Sequence, residues 1–374
     1  MNALRIIIHL SIALIAIVLG QPLAFAEQDN SKVIKLGMST ALSGPAQNIG
    51  QQLYKGSSIY FNKVNNAGGI NGAEVQLLVA NDNYEPKQTV NNTRTFIYSD
   101  KVDALFGAMG TPTSHAIIPL LEQSKIPFLM PFSGASFLHD KSRANIFNLR
   151  ASYNDEAAEQ IKYLVEERKH TKIGLFIQAD EFGLYVESGL RKELTKYDLS
   201  PIKVARYQRN SHDVASALNA LQASGVTAIC LVGTYAPLGE FINSAHAKNF
   251  TPDYTSVSFV PSFDLFDEVT TPSHIMVTEI VPNPLTCNDD FCNEFLADMQ
   301  ANKITKPNRL HFEGYINAMA FSRAAANCKL PLKHSCLMKE LNSLLTNDKI
   351  IKKFFIDTKN KNKRNVYRSY YVNK

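Results

Sequence analysis

Two polar stretches in the first half of this 374-residue chain carry residue types suited to grasping an anion. Gly107-Ala108-Met109-Gly110-Thr111-Pro112-Thr113 ends a short apolar run and opens a helical pattern, which places Thr111 to cap a helix start. Free N–H groups at such a start attract a carboxylate. Met130-Pro131-Phe132-Ser133-Gly134-Ala135-Ser136 repeats the arrangement one strand later. In the second half, Ala179 to Gly183 and Gly233 to Pro237 end apolar runs with an aromatic ring, Phe182 and Tyr235. Rings facing a wall of hydroxyls and N–H groups make a ligand clamp, although simple packing of helix starts accounts for the same two residues equally well. Strands that end in small polar loops and then enter helices are how open α/β sheets build ligand crevices. The stretch Ile34 to Pro45, ending Leu42-Ser43-Gly44-Pro45, has that form from the outset.

Catalytic patterns are missing from the chain. It has no G-x-S-x-G elbow, H-E-x-x-H helix, G-x-x-x-x-G-K-[ST] loop or D-x-[DN]-x-[DN]-G calcium loop. The nine histidines are scattered singly, His9 among them, so neither a metal site nor a cofactor is expected and the chain reads as a binder, not an enzyme. Gly68-Gly69-Ile70-Asn71-Gly72 follows a helical pattern instead of opening one, which makes it a helix stop and hairpin turn, not a phosphate loop.

The elements that must position these loops alternate strictly. Apolar or β-branched runs predict strands at Val33–Met38, Val75–Ala80, Ala104–Gly107, Pro127–Met130, Lys172–Ile177, Lys203–Tyr207, Ala228–Val232, Thr255–Phe259 and Ile275–Val281. Helical spacing lies between them, as in Ala157/Ile161/Leu164/Val165 and Leu238/Phe241/Ile242/Ala245. Such alternation predicts an α/β fold of parallel sheets with helices on both faces. About 350 residues exceed what one core supports, so two doubly wound lobes are expected. The pattern breaks near Arg150, and again at Val281-Pro282-Asn283-Pro284, where prolines halt a strand. Two lobes joined by a multi-strand hinge follow: residues 27–150 with 282–350, and residues 151–281 with 351–374. Lys353 to Asp357 and Asn365 to Val372 read as closing strands.

Residues 1–26 read as a signal peptide cleaved after Ala26: Arg5, an uncharged apolar run from Ile6 to Gly20, then Ala24-Phe25-Ala26. No later apolar run is long enough for a membrane span, so an exported chain without stable membrane insertion is expected. Without the leader, 38 basic and 34 acidic residues leave a mild charge of +4 (39 − 1 = 38; 38 − 34 = 4). The basic run Lys359 to Arg364 lacks stacking aromatics, so no nucleic-acid partner is expected. Of the five cysteines, Cys230 lies in the predicted strand Ala228–Val232, whose apolar run reads as buried, leaving Cys287, Cys292, Cys328 and Cys336. Local bridges 287–292 and 328–336 are favoured over cross-pairing in an exported chain, with a zinc site built from the same four as the alternative.

In order and spacing, Leu42-Ser43-Gly44-Pro45, Ala67-Gly68-Gly69-Ile70-Asn71-Gly72, Glu85-Pro86-Lys87-Gln88, Gly107 to Thr113, Arg150-Ala151-Ser152 and Phe182-Gly183 resemble the type I periplasmic binding proteins of the leucine/isoleucine/valine-binding family. The resemblance covers residues 32–374 and implies a monomeric periplasmic receptor that hands its ligand to the permease subunits of an ABC importer. A receptor reporting to a membrane signalling partner is the alternative. By the same resemblance, Gly110 and Thr111 meet the ligand carboxylate and Phe132, Ser133 and Gly134 add contacts. Tyr235 and Phe182 then close from the second lobe, and Ile49 shapes the pocket. Where the family's amino-acid binders carry an acid for the ligand ammonium, this chain has Ser258. A buried ammonium without a charge partner costs several kcal/mol, so the cargo is expected to depart from a standard α-amino acid unless Asp180, Glu181 or Asp264 supplies the charge.

Overall fold

The computed structural model describes residues 33–358, 360 and 363–372. The signal-peptide reading lies outside these residues. Two sheets organise the chain. The first runs β2-β1-β3-β4-β5, all parallel, from β1 (Val33–Thr40), β2 (Glu74–Asn81), β3 (Ala104–Phe106), β4 (Phe128–Leu129) and β5 (Ile146–Phe147). The second runs β11-β10-β9-β8-β6-β7. Its parallel strands are β6 (Ile173–Gln178), β7 (Lys203–Tyr207), β8 (Ala228–Val232), β9 (Asp253–Ser256) and β10 (Ile275–Glu279), and β11 (Tyr367–Tyr370) pairs antiparallel to β10. Every residue of β6 and β8 is buried, as central parallel strands covered on both faces require.

All nine predicted strands overlap observed ones. β9 is displaced towards the N-terminus, so that Val257 to Val260 leave the sheet. The two-residue β5 was too short to carry a pattern. The predicted strand Lys353–Asp357 is a helix, Lys349–Phe355, with only a bridge from Ile356 to Arg364 beyond it. Asp348 caps that helix through the N–H groups of Ile350 and Ile351, and the spacing Ile351/Phe354/Phe355 buries one helical face. Phe354 packs against Phe291 and Phe312 among the first sheet's helices, so residues 351–355 sit with the first lobe and the chain returns to the second sheet only at Tyr367.

Turn chemistry behaves as its residues dictate. Pro86 opens the helix Pro86–Arg94, Gly69, at φ 76°, stops the helix before it with its N–H on the Val64 carbonyl, and Asn71-Gly72, at φ 52° and 85°, make the turn that the Ile70–Ala73 bridge closes into a hairpin. A Cβ at Gly69 would sit 2.2 Å from the Ala73 carbonyl oxygen. The bridges Cys287–Cys292 and Cys328–Cys336 are both formed, with Cα separations of 6.1 and 6.0 Å, and Cys230 is a buried free thiol. Among the described residues no helix is long and apolar enough to cross a membrane, and no group of acidic, His or Cys side chains could hold a metal ion.

The helix α1 (Gln47–Asn66), which starts at the crevice loop, is clamped along a second long helix, Arg309–Ala326. A Cβ at Gly314 would lie 2.2 Å from the Leu53 carbonyl oxygen, and one at Gly56 would lie 2.0 Å from that of His311. Backbone cannot yield as a flexible side chain can, so Gly314→Val should lower unfolding free energy by about 1–3 kcal/mol or more. Urea denaturation checks this, and a midpoint equal to the parent's would show that the two helices can separate without cost.

Candidate functional site

The loops after the strand carboxyl ends of the two sheets meet, and the residues expected at a ligand crevice converge there. Thr111 does not cap its helix: Gly110 occupies the cap position at φ 106°, and Thr111 is the first helical residue. Its hydroxyl instead lies 2.7 Å from the Ser133 Oγ and 3.2 Å from the Tyr153 hydroxyl. Ser133 Oγ also accepts the N–H of Ala135 at 3.2 Å. Three buried hydroxyls thus satisfy one another across the sheets, and burial pushes the Tyr153 phenol up to about 12. A side chain at Gly110 would strike the Tyr84 ring, and one at Gly134 would strike Tyr153 and the Ala151 carbonyl, so both glycines are dictated by close approach.

Aromatic rings occupy the space beside the hydroxyls. Phe259, from the segment that left β9, lies 4.5 Å from Phe182, 5.5 Å from Phe132 and 5.7 Å from Tyr84, centroid to centroid. Phe182 lies in the first turn of the helix Glu181–Thr195 and also packs on Tyr153 at 5.5 Å. Ile49 is fully buried in the first turn of α1. Asp180 is committed locally: it caps the Phe182 helix and accepts from Gln178 and Arg209.

Ser258 takes part in a buried charge network that the sequence did not disclose. Arg150 lays its guanidinium 4.0 Å from the Phe132 centroid, donates at 2.7 Å to both oxygens of Glu313, and donates to the Ser258 hydroxyl. Glu156 accepts the Ser258 N–H at 2.6 Å, its hydroxyl at 2.9 Å and the Thr278 hydroxyl at 2.6 Å. Burial raises Glu156 to about 7 against the pull of Arg150. Both hydrogen-bonding atoms of Ser258 are therefore engaged within the protein. Arg150 stood at a predicted lobe crossing, but its partners Glu313 and Ser258 are 163 and 108 residues away. No local pattern announces such partners.

At the rim, Tyr235 begins the helix Tyr235–Ala247 and is 8% exposed. Burial, with the charges of Asp264 and Glu268, pushes its phenol up to about 12. Asp264 receives one long bond, 3.5 Å, from the Asn48 amide to Oδ1, while its buried Oδ2 has no partner. Its carboxyl is raised to about 7, chiefly by burial. Other contacts bridge the two sheets further out. Arg209 and Asn210 donate to Glu85 at 3.0 and 2.7 Å, and Phe137 packs on Tyr185 at 5.3 Å. The two halves are thus drawn together around the crevice.

Two outcomes follow from these charges. Removing one partner of the buried pair, as in Arg150→Met, leaves Glu313 uncompensated and should cost about 3–5 kcal/mol, with Arg150→Met/Glu313→Leu recovering much of the loss in chemical denaturation. Asp264, with a folded pKa raised by burial above the ordinary 3.8 of an aspartate, holds its proton more tightly when folded. Its contribution to stability is therefore present below about pH 4 and lost as pH rises through about 7. Melting temperature should fall from pH 5 to 8, and Asp264→Asn should flatten part of that fall. An unaltered slope in the variant would remove Asp264 from the account.

The periplasmic binding protein profile matches residues 33–373. The chain is similar, at 29% identity and TM-score 0.79 over 85% of its length and 88% of the other, to a possible leucine/isoleucine/valine-binding protein of Rhodopirellula baltica SH 1. At 25% identity and TM-score 0.79 it is similar over 90% of its length to a substrate-binding periplasmic protein of Ralstonia solanacearum, covering 96% of that chain. An amino acid binding protein of Pseudomonas aeruginosa is 21% identical over 65% of each chain, and the Leu/Ile/Val-binding protein of Escherichia coli (strain K12) is 20% identical over 65% of this chain and 66% of its own. The alignments thus span just under two thirds of the length of these curated relatives. The two parallel-sheet lobes match the architecture of those structures. The chain belongs to the periplasmic binding protein family, a family of binders and not of enzymes, as a distant homologue of its Leu/Ile/Val-binding members.

Proposed function

We propose that this protein is an exported receptor, freed of its leader after Ala26, that captures a small amino-acid-like or related organic acid or amide in the periplasm. It closes its two lobes over the ligand and presents the closed form, as a monomer, to the permease subunits of an ABC importer. The observation that carries this reading is the meeting of both sheets' strand carboxyl ends around the Thr111/Ser133 hydroxyl pair, with an unpaired carboxylate oxygen of Asp264 at the rim. Strand carboxyl ends are where open α/β sheets take ligands. Relatives support the class of cargo: the Pseudomonas aeruginosa relative is an amino acid binding protein, and a branched-chain amino acid transporter substrate-binding protein of Streptococcus pneumoniae, similar in fold, is in complex with isoleucine.

In this reading the ligand's carboxylate or amide oxygen takes the hydroxyls of Thr111 and Ser133, displacing that of Tyr153. Phe132, Gly110 and Gly134 shape the wall, Phe182 and Ile49 supply apolar surface, and Tyr235 closes the rim. Asp264 supplies the charge for an ammonium, the role that Ser258 cannot fill. Ser258 acts through Glu156, whose carboxylate holds its loop. Closure excludes water and strengthens each of these bonds.

A thermal-shift screen over amino acids, short carboxylates and amides tests the proposal. A ligand at 100 times its Kd adds about 2.7 kcal/mol of stability. For a hit bearing both charges, Thr111→Ala and Asp264→Asn should each weaken binding at least tenfold. A hit untouched by either change would place the ligand elsewhere.

A further inference from the structure

The closed crevice is already full. A water-sized sphere reaches none of Thr111, Ser133, Phe182 or Phe259, and only 1% of Phe132. The hydroxyl positions satisfy one another, and the volume beside them holds the Phe259 ring, in contact with Phe132 and Tyr84 from the first lobe and Phe182 from the second. Phe259 is not in a strand: Val257 to Val260 swing out of the sheet after Ser256, and the Glu156 carboxylate holds the Ser258 N–H, which fixes where the next side chain points. Towards the rim, Tyr235 is 8% exposed and Asn48 and Asp264 are partly exposed.

Resting on the proposed ligand-binding reading, we infer that Phe259 is the residue that sets cargo size. Its ring takes the volume that a ligand side chain would use. The cargo is accordingly a compact zwitterion or amide without a large apolar substituent, lying between the hydroxyl pair and Asp264. The same ring bridges the lobes by packing on both sides of the crevice. Aromatic pairs of this kind are attractive beyond the area they bury, so the ring itself draws the lobes together.

The experiment compares the wild type, Phe259→Ala and Phe259→Leu, each checked for fold by circular dichroism. Two readouts are used: calorimetric binding of glycine, alanine, valine, leucine and phenylalanine with their amides, and the radius of gyration by small-angle scattering without ligand. The wild type should favour glycine- or alanine-sized compounds and scatter as the closed form. Phe259→Ala should bind leucine or phenylalanine compounds at least tenfold more tightly than the wild type does, and should be more expanded without ligand, with Phe259→Leu between. A wild type that prefers leucine or phenylalanine, or an unchanged size order in Phe259→Ala, overturns the assignment while leaving the receptor reading in place. Should none of these compounds bind any of the three proteins, that class of cargo falls. Scattering then decides Phe259 by itself: expansion of Phe259→Ala upholds its bridging role, and an unchanged radius ends it.

Discussion

The buried guanidinium of Arg150 is the constraint around which the two halves are arranged. A charge removed from water is tolerable only where partners surround it, and here the partners come from three distant parts of the chain. Glu313 comes from the long helix of the first lobe, Ser258 from the loop after β9 in the second, and Phe132 lies beneath the cation. Glu156 extends the network to Thr278 at the end of β10, and Glu279 beyond it faces Arg309 at 3.7 Å. Segments joining two bodies need a fixed point about which the bodies can turn, and polar bonds of defined geometry specify one better than interchangeable apolar contacts.

From that point outward the crevice is a set of mutual satisfactions. Thr111, Ser133 and Tyr153 pair their hydroxyls, while Phe259 and its neighbours fill the adjoining volume. Asp264 at the rim departs from this, with one carboxylate oxygen buried and unpaired. A group left so costs free energy, and its raised pKa expresses that cost. A cation beside it would relieve that cost, whereas the inner hydroxyls are already paired. The polarity of the crevice thus runs from a satisfied interior to an unsatisfied edge.

How much of this was legible in the chain depended on range. Strand runs such as Ala228–Val232 and turns such as Gly68-Gly69 are local, and they stand where their residues placed them. Thr111 and Tyr235 were found as polar or aromatic residues at strand ends, although Thr111 spends its hydroxyl on tertiary partners and not on a cap. Lys353–Asp357 misled because a short apolar run fits strand and helix alike, and the capping Asp348 decided between them. Val257 to Phe259 misled in the other direction, since a short apolar run bound for the space between lobes looks like a strand. Tyr153 and the Arg150–Glu313 pair were invisible, because their partners meet only after both sheets have formed.

The two disulfides hold a further consequence. Each closes a short segment, with sequence separations of 5 and 8, and both lie in the helical layer after β10. Neither ties one sheet to the other. Short covalent loops remove little chain entropy compared with long ones, so these links act as local rivets in the outer shell of one lobe. No disulfide joins the two sheets, and a change in ambient redox conditions would loosen that shell while leaving the facing loops of the crevice untouched.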